Sequence, residues 1–170
     1  MSKGKICFIA KHSFHNLVDI KPQFISQQGI KFLMLDLDNT VAAYNEHEPT
    51  DAILKWFKEV RENSIKLFII SNSTRTDRVT SFAKALDCEF IMRAAKPSPA
   101  ALKKAMSDKG ATPDESALVG DQTFTDVLSA NLAGVMPILV RPKGFSNIFL
   151  SLRYYIEVPI RSMCKNKHKP

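Results

Sequence analysis

From Ile30 onward the chain alternates short apolar runs with longer stretches in which apolar residues recur every three or four positions. Runs of strand length bounded by turn-forming residues, separated by segments of helical period, predict strands and helices in turn. Strands are expected over 32–36, 66–71, 89–92, 117–120 and 136–140. A helix over 51–62 would align Ile53, Leu54, Phe57 and Val60, and one over 77–86 would align Val79, Phe82, Ala83 and Leu86. A third has Ser98 as N-cap, Pro99 at its first position and Gly110 just past its end; a fourth runs from about Thr125 to Ala133 and stops at Gly134. Strand-helix alternation of this kind needs a parallel sheet covered on both faces. The expected fold class is therefore α/β, a Rossmann-like three-layer sandwich around a parallel sheet of about five strands.

The ends of the chain carry weaker patterns. Phe14, Leu17 and Val18 suggest a short helical turn, and Gln23 to Gln28 another that ends at Gly29. After Pro142, residues Phe145, Ile148, Phe149, Leu152, Tyr155 and Ile156 fall on one helical face with Arg153 and Glu157 off it, a stripe suited to packing on protein or to lying on anionic lipid. Pro159 should interrupt that helix, because proline removes a helix hydrogen bond, and the residues beyond Ile160 read as a loose basic tail. The expected organisation is one domain over 1–170, with a core at about 30–142, an N-terminal extension over 1–29 and a basic amphipathic extension over 143–170.

Composition narrows the class. A chain of 170 residues with 45% hydrophobic and 24% charged residues has the make-up of a folded soluble domain rather than a disordered or fibrous one. The longest apolar runs fall far short of the ~20 residues of a membrane span, and no cleavable signal pattern is present, so the cytosol is the expected address. Cys7, Cys88 and Cys164 are too widely separated for a C-x-x-C metal or redox motif. The net charge of +7 resolves into +3 over 1–30, −2 over 31–140 and +6 over 141–170. Basic ends around a slightly acidic middle fit a chemical core held against an anionic surface, including peripheral contact with an inner membrane face.

Four polar clusters lie at the carboxyl ends of expected strands, where ligands bind in open α/β sheets. Asp36 and Asp38 follow the run Phe32 to Leu35, and extended backbone points residues i and i+2 the same way. Two adjacent carboxylates repel unless a cation lies between them. Ser71-Asn72-Ser73 offers hydroxyl and amide donors for an anionic oxygen, Lys96 offers a cation, and Asp121 and Asp126 add two more acids. Oxygen donors without His or Cys favour Mg²⁺ over zinc. Each cluster alone could be a turn, a helix cap or a solvated side chain; together they form an inventory for magnesium and phosphate.

The ordered set Asp36-x-Asp38-x-Thr40, Ser71, Lys96 and Gly120-Asp121-x-x-x-x-Asp126 resembles the haloacid dehalogenase-like phosphohydrolases over about residues 30 to 140. Its details look most like the YqeG-like subgroup of class III, which is related to phosphatidylglycerophosphate phosphatases. The resemblance implies a Mg²⁺-dependent phosphatase in which Asp36 is the nucleophile that forms an aspartyl-phosphate and Asp38 the general acid and base. It further implies that Thr40 ties down the first loop, that Ser71 and Asn72 with Lys96 hold the phosphoryl group, and that Asp36, the Asp38 carbonyl and Asp121 bind metal, with Asp126 as a ligand or a partner of Lys96. Members acting on small metabolites usually carry an inserted cap domain, and the segments 41–50 and 87–95 leave no room for one. An uncapped site suits a large or surface-held phosphorylated substrate, with a phospholipid head group first. A domain of the same fold that binds with little turnover is the alternative from another class. Nucleic-acid ends rank lower, because the aromatics of the basic end follow a helical stripe rather than a stacking platform.

Overall fold

The computed structural model describes residues 5–144, 148–164 and 166–168, with side chains in the last helix described from Ser151 onward. The strands are β1 (His12–Phe14), β2 (Phe32–Leu35), β3 (Lys66–Ile70), β4 (Glu89–Ile91), β5 (Ser116–Gly120), β6 (Met136–Val140) and β7 (Asn166–Lys167). The α-helices are α1 (Pro22–Gln27), α2 (Asp51–Glu62), α3 (Thr76–Ala85), α4 (Ala100–Lys109), α5 (Leu128–Ala133) and α6 (Ile148–Ser162). Among the described residues the seven strands form one parallel sheet in the order β4-β3-β2-β5-β6-β1-β7.

Strand periodicity builds the three layers. Leu33 and Leu35 of β2 point to one face, where Ile53, Trp56, Phe57 and Val60 of α2 and Val79 and Phe82 of α3 cover them. Phe32 and Met34 point to the other, against Leu102, Ala105 and Met106 of α4 and Ala130 and Ala133 of α5. Both clusters are buried, so the two-residue period of β2 fixes which helix packs where. Leu54 departs from the expected face of α2: it is exposed, and Trp56 takes the buried place with its indole N–H donating to Ile20 O at 2.8 Å. Gly110 and Gly134 end α4 and α5 in the left-handed conformation, at φ of 62° and 78°, as their positions in the sequence predict.

The core strands and helices lie where the sequence pattern puts them, within a residue or two at most ends. The strand count does not, because β1 and β7 add to the expected five. These are three-residue and two-residue segments with too few positions to show a period; β1 overlaps the expected first turn only at Phe14, and a 3₁₀ turn at Leu17–Asp19 and α1 lie where the two short helical turns were expected. The loose tail is also corrected. Helix α6 continues through Pro159 to Ser162, and β7 pairs Asn166 and Lys167 with His12 and Ser13 of β1.

The face of α6 that meets the domain is the polar one. Glu157 is buried, whereas Leu152, Tyr155 and Ile156 of the apolar stripe are more than half exposed. Phe145 and the side chains of Ile148 and Phe149, also assigned to that stripe, lie outside the described residues. No helix among the described residues is long and apolar enough to cross a membrane.

Candidate active site

The sheet order reverses between β2 and β5: the chain proceeds outward through β3 and β4 on one side and through β6 on the other. Loops leaving the two strands must diverge there, which opens a crevice at their carboxyl ends. That crevice has a volume of about 260 Å³ and is lined by Asp36, Asp38, Asn72, Lys96, Gln122 and Asp126 among others. A larger groove of about 1020 Å³ lies where β3 and β4 begin, between Lys66, Asp87 and Glu89, far from every motif of the sequence.

Asp36 is the last residue held by the sheet beyond β2, its N–H donating to Val119 O at 2.9 Å. Three residues on, Asn39 takes a positive φ of 63°, a conformation asparagine tolerates, and the loop closes with Asn39 N donating to Ala42 O at 2.7 Å. Ala95, at φ of 55°, turns the chain sharply before Lys96. Lys96 Nζ then lies 2.6 Å from Asp36 Oδ1, 2.7 Å from Asp126 Oδ1 and 2.8 Å from Ile70 O, with almost no exposed surface. Asp36, Asp121 and Asp126 each bring a carboxylate oxygen within 4.8 Å of the others.

Such crowding shifts ionisation. Burial pushes the Asp36 carboxyl up to about 7, with Lys96 pulling down and Asp126 and Asp38 adding to the rise. Burial, then Asp126 and Asp36, hold Asp121 well above the ordinary carboxylate range, against Arg161 and Lys96. For Lys96, burial works to lower the pKa and is outweighed by the charges of Asp126 and Asp36, so the ammonium is firmly protonated. Three buried carboxyls share one Lys, so they cannot all ionise without a further cation, and Asp121 Oδ1 is buried without a hydrogen-bond partner. An all-oxygen cluster with an orphaned anionic acceptor suits a hard divalent cation such as Mg²⁺. Gly120 makes the cluster sterically possible, since a methyl group there would collide with the Asp126 carboxylate.

The remaining predicted residues take distinct places. The Asp38 carboxylate stands apart from the metal cluster and pairs with Arg78 at 2.5 Å. Asn72 lines the crevice, yet its amide is engaged on both sides by the backbone of Lys96, donating to the carbonyl at 3.0 Å and accepting from the N–H at 2.8 Å. It therefore joins the loop after β3 to the loop after β4. The buried Ser71 hydroxyl accepts from Ser73 N at 3.0 Å, and Thr40 Oγ1 is buried without a partner. Away from the crevice, Nδ1 of His12 lies 3.1 Å from Nε2 of His168.

Three residues of the site carry no sequence signal. Arg78 is a buried cation on α3 whose guanidinium donates to Asp38, to Ala43 O at 2.8 Å and to Glu46 O at 3.0 Å. From α6, Glu157 accepts from Thr123 N at 2.9 Å, capping the turn Thr123–Val127 that carries Asp126. Arg161 donates to Asp121 O at 2.6 Å and Val140 O at 2.7 Å. Only an unusual run of charge on the inner face of an apolar helix could have revealed the last two.

The chain is similar to known proteins in sequence and in fold. The family model of the haloacid dehalogenase-like hydrolases matches residues 1–134. The Bacillus subtilis protein named probable phosphatase YqeG is 32% identical over 162 residues, covering 95% of this chain and 93% of that one. Phosphatidylglycerophosphate phosphatase 1 of Arabidopsis thaliana, of chloroplasts and mitochondria, is 30% identical over 146 residues, covering 79% of this chain and 41% of the plant protein. In fold, the cobalt-bound deoxy-D-mannose-octulosonate 8-phosphate phosphatase of Haemophilus influenzae superposes with a TM-score of 0.58 over 82% of this chain and 78% of its own, at 15% identity. The chain belongs to the haloacid dehalogenase-like hydrolases, and within them to the phosphatases. As the short segments 41–50 and 87–95 implied, no inserted cap interrupts the described residues between Asp38 and α2 or between α3 and Lys96.

Proposed function

We propose that the protein is a Mg²⁺-dependent phosphomonoesterase that works through an aspartyl-phosphate on Asp36 and acts on a large or surface-held phosphate ester, with phosphatidylglycerophosphate as the favoured substrate. The observation that carries the chemistry is the buried Asp36-Lys96-Asp126 chain at 2.6 and 2.7 Å, with Asp121 alongside and Asp38 on the crevice wall. Asp36, Asp121 and the Asp38 main-chain carbonyl would hold the metal, which supplies charge neutralisation for the nucleophile and the transferring phosphoryl group. An Asp36 carboxylate oxygen forms a bond to phosphorus while the ester P–O bond breaks, and the departing oxygen takes its proton from Asp38. Asp38, now a carboxylate, accepts a proton from water, whose oxygen displaces Asp36 from phosphorus and frees phosphate. Lys96 neutralises the Asp36 and phosphoryl oxygens, Ser71 donates to a phosphoryl oxygen, and Asp126 orients Lys96.

Three features favour a surface-held substrate: the absence of a cap among the described residues, the basic C-terminal end, and the outward Leu152, Tyr155 and Ile156. The test is phosphate release with and without Mg²⁺ from an aryl phosphate and from lipid, sugar, nucleotide and phosphoprotein esters, each with and without liposomes. Asp36→Asn should lower turnover by at least about a thousandfold. Activity surviving in that variant would overturn the mechanism, and equal rates on sugar phosphates and on lipid would overturn the surface-held substrate.

A further inference from the structure

A second cavity, of about 320 Å³, opens on the same edge of the sheet, at the carboxyl ends of β1 and β6. Its wall carries His15, Arg141, Arg161, Lys167 and His168, with the Ser162 hydroxyl and no acidic residue. Arg141 and Lys167 form no ion pair among the described residues. Like charges gathered around one cavity repel, and here the backbone of the fold sets where these residues sit. Pairing of β7 with β1 sets Lys167 opposite Ser13. His168 N donates to Ser13 O at 2.8 Å, and its ring stacks on Phe14 with centroids 4.2 Å apart and planes 4° from parallel. Arg161 is fixed by the carbonyls of Asp121 and Val140.

The cavity lies near the catalytic crevice. Asn39 and Gln122 line both the crevice and a narrow cleft beside it, and Tyr154 lines both that cleft and the basic cavity. We propose that the basic cavity is a second anion site, which takes a phosphate other than the group being hydrolysed. Arginine, lysine and hydroxyl donors around a water-accessible cavity are the chemistry of phosphate recognition. The inference rests on the phosphatase reading for the company this site keeps, whereas binding to it needs no turnover.

Geometry restricts what the anion can be attached to. Two strand positions separate β2 from β6 and three separate it from β1, which amounts to about 10 to 14 Å at the usual inter-strand spacing. Two phosphates joined by a glycerol bridge are six bonds apart, about 7 Å at roughly 1.2 Å of extension per bond. Counted from the nucleophile Asp36, that separation favours a second anion on a neighbouring molecule over the far side of the same glycerol. A phospholipid headgroup next to the substrate and free phosphate both offer this chemistry.

The imidazoles of His15 and His168 report on the cavity, and neither lines the catalytic crevice. Their nitrogen and carbon resonances in the full chain, in EDTA, are followed while inorganic phosphate, glycerophosphoglycerol or phosphatidylglycerol-containing vesicles are titrated in. Saturable shifts of both rings are expected, with His47 unmoved and the apparent affinity at least about tenfold weaker in Arg141→Glu/Lys167→Glu. Vesicle cosedimentation that falls tenfold in that variant, but not in the charge-matched Lys55→Glu/Lys58→Glu, assigns the anion to a lipid headgroup. Saturation by the soluble probes with equal vesicle retention in both variants assigns it to a soluble anion. Absence of saturable His15 and His168 shifts with every probe, or shifts that persist undiminished in Arg141→Glu/Lys167→Glu, overturn the site. Turnover of an aryl phosphate should stay within about twofold in the cavity variant. An inactive wild-type protein that still shows the shifts would sink the phosphatase reading and leave the anion site standing.

Discussion

Arg78 offers the sharpest examination of how the crevice would deliver a proton. Its side chain is 3% exposed, and it spreads one guanidinium over the Asp38 carboxylate and the carbonyls of Ala43 and Glu46. It thus orients the group proposed as general acid without lining the crevice itself. Arg78→Met would strand three acceptors at ~1 to 3 kcal/mol each, enough to confound activity with unfolding. Arg78→Lys keeps the charge but replaces a fixed fork by a single flexible ammonium that cannot serve all three. General acid catalysis is worth ~10² to 10⁴ where the leaving oxygen needs a proton and little where it departs as a stable anion. Single-turnover phosphoryl transfer should therefore slow about 100-fold in Arg78→Lys for an alkyl phosphate, and less than about fivefold for a dinitrophenyl phosphate. The assay is the rate across phosphomonoesters of graded leaving-group pKa, and the plot of log rate against that pKa should steepen in the variant. A uniform loss across the series, or none, would refute the role of Arg78 in holding Asp38.

Metal and pH should be coupled in a definite direction. Because burial raises Asp36 to about 7, the unfolded chain ionises this group first, so metal-free stability should fall as pH rises from about 4 to 7. Mg²⁺ should therefore raise the melting temperature more at pH 7.5 than at pH 5, and equal increments in scanning fluorimetry would contradict it. Gly120→Ala should displace Asp126 from Lys96 and lower turnover at least about 100-fold, with a far-ultraviolet spectrum that still reports a folded sheet. Glu157→Ala leaves the N–H groups of Thr123 and Phe124 uncapped and should cost about 2 to 4 kcal/mol in urea unfolding. A loss below about 0.5 kcal/mol would show that α6 is held by other contacts.

The core of the fold and the crevice were legible because period and position carry them. Leu33 and Leu35 alternate with Phe32 and Met34, so both sheet faces could be assigned from one four-residue run, and Asp36 and Asp38 followed as the residues at its end. Asn72 misled in its bonding, since its donor chemistry is answered by the Lys96 backbone rather than left free. Arg78, Glu157 and Arg161 were illegible for a different reason. Each acts through a contact distant in sequence, 40 residues for Arg78 with Asp38 and 34 for Glu157 with Thr123, and a charge in a helix gives no local sign of its partner. Pro159 misled as well: the backbone continued through a residue that ordinarily ends a helix.

The pairing of β1 between β6 and β7 gives the molecule a temporal order. On a ribosome Asp36 and Asp121 emerge well before Glu157 and Arg161, so the turn at Thr123–Val127 lacks its cap and the Asp121 carbonyl its donor until α6 follows. A nascent chain halted inside α6 would present every motif by which a phosphatase is recognised, yet would not have the helix that fixes its metal cradle. Ordering of the Asp121 and Asp126 segment would therefore wait on the synthesis of α6.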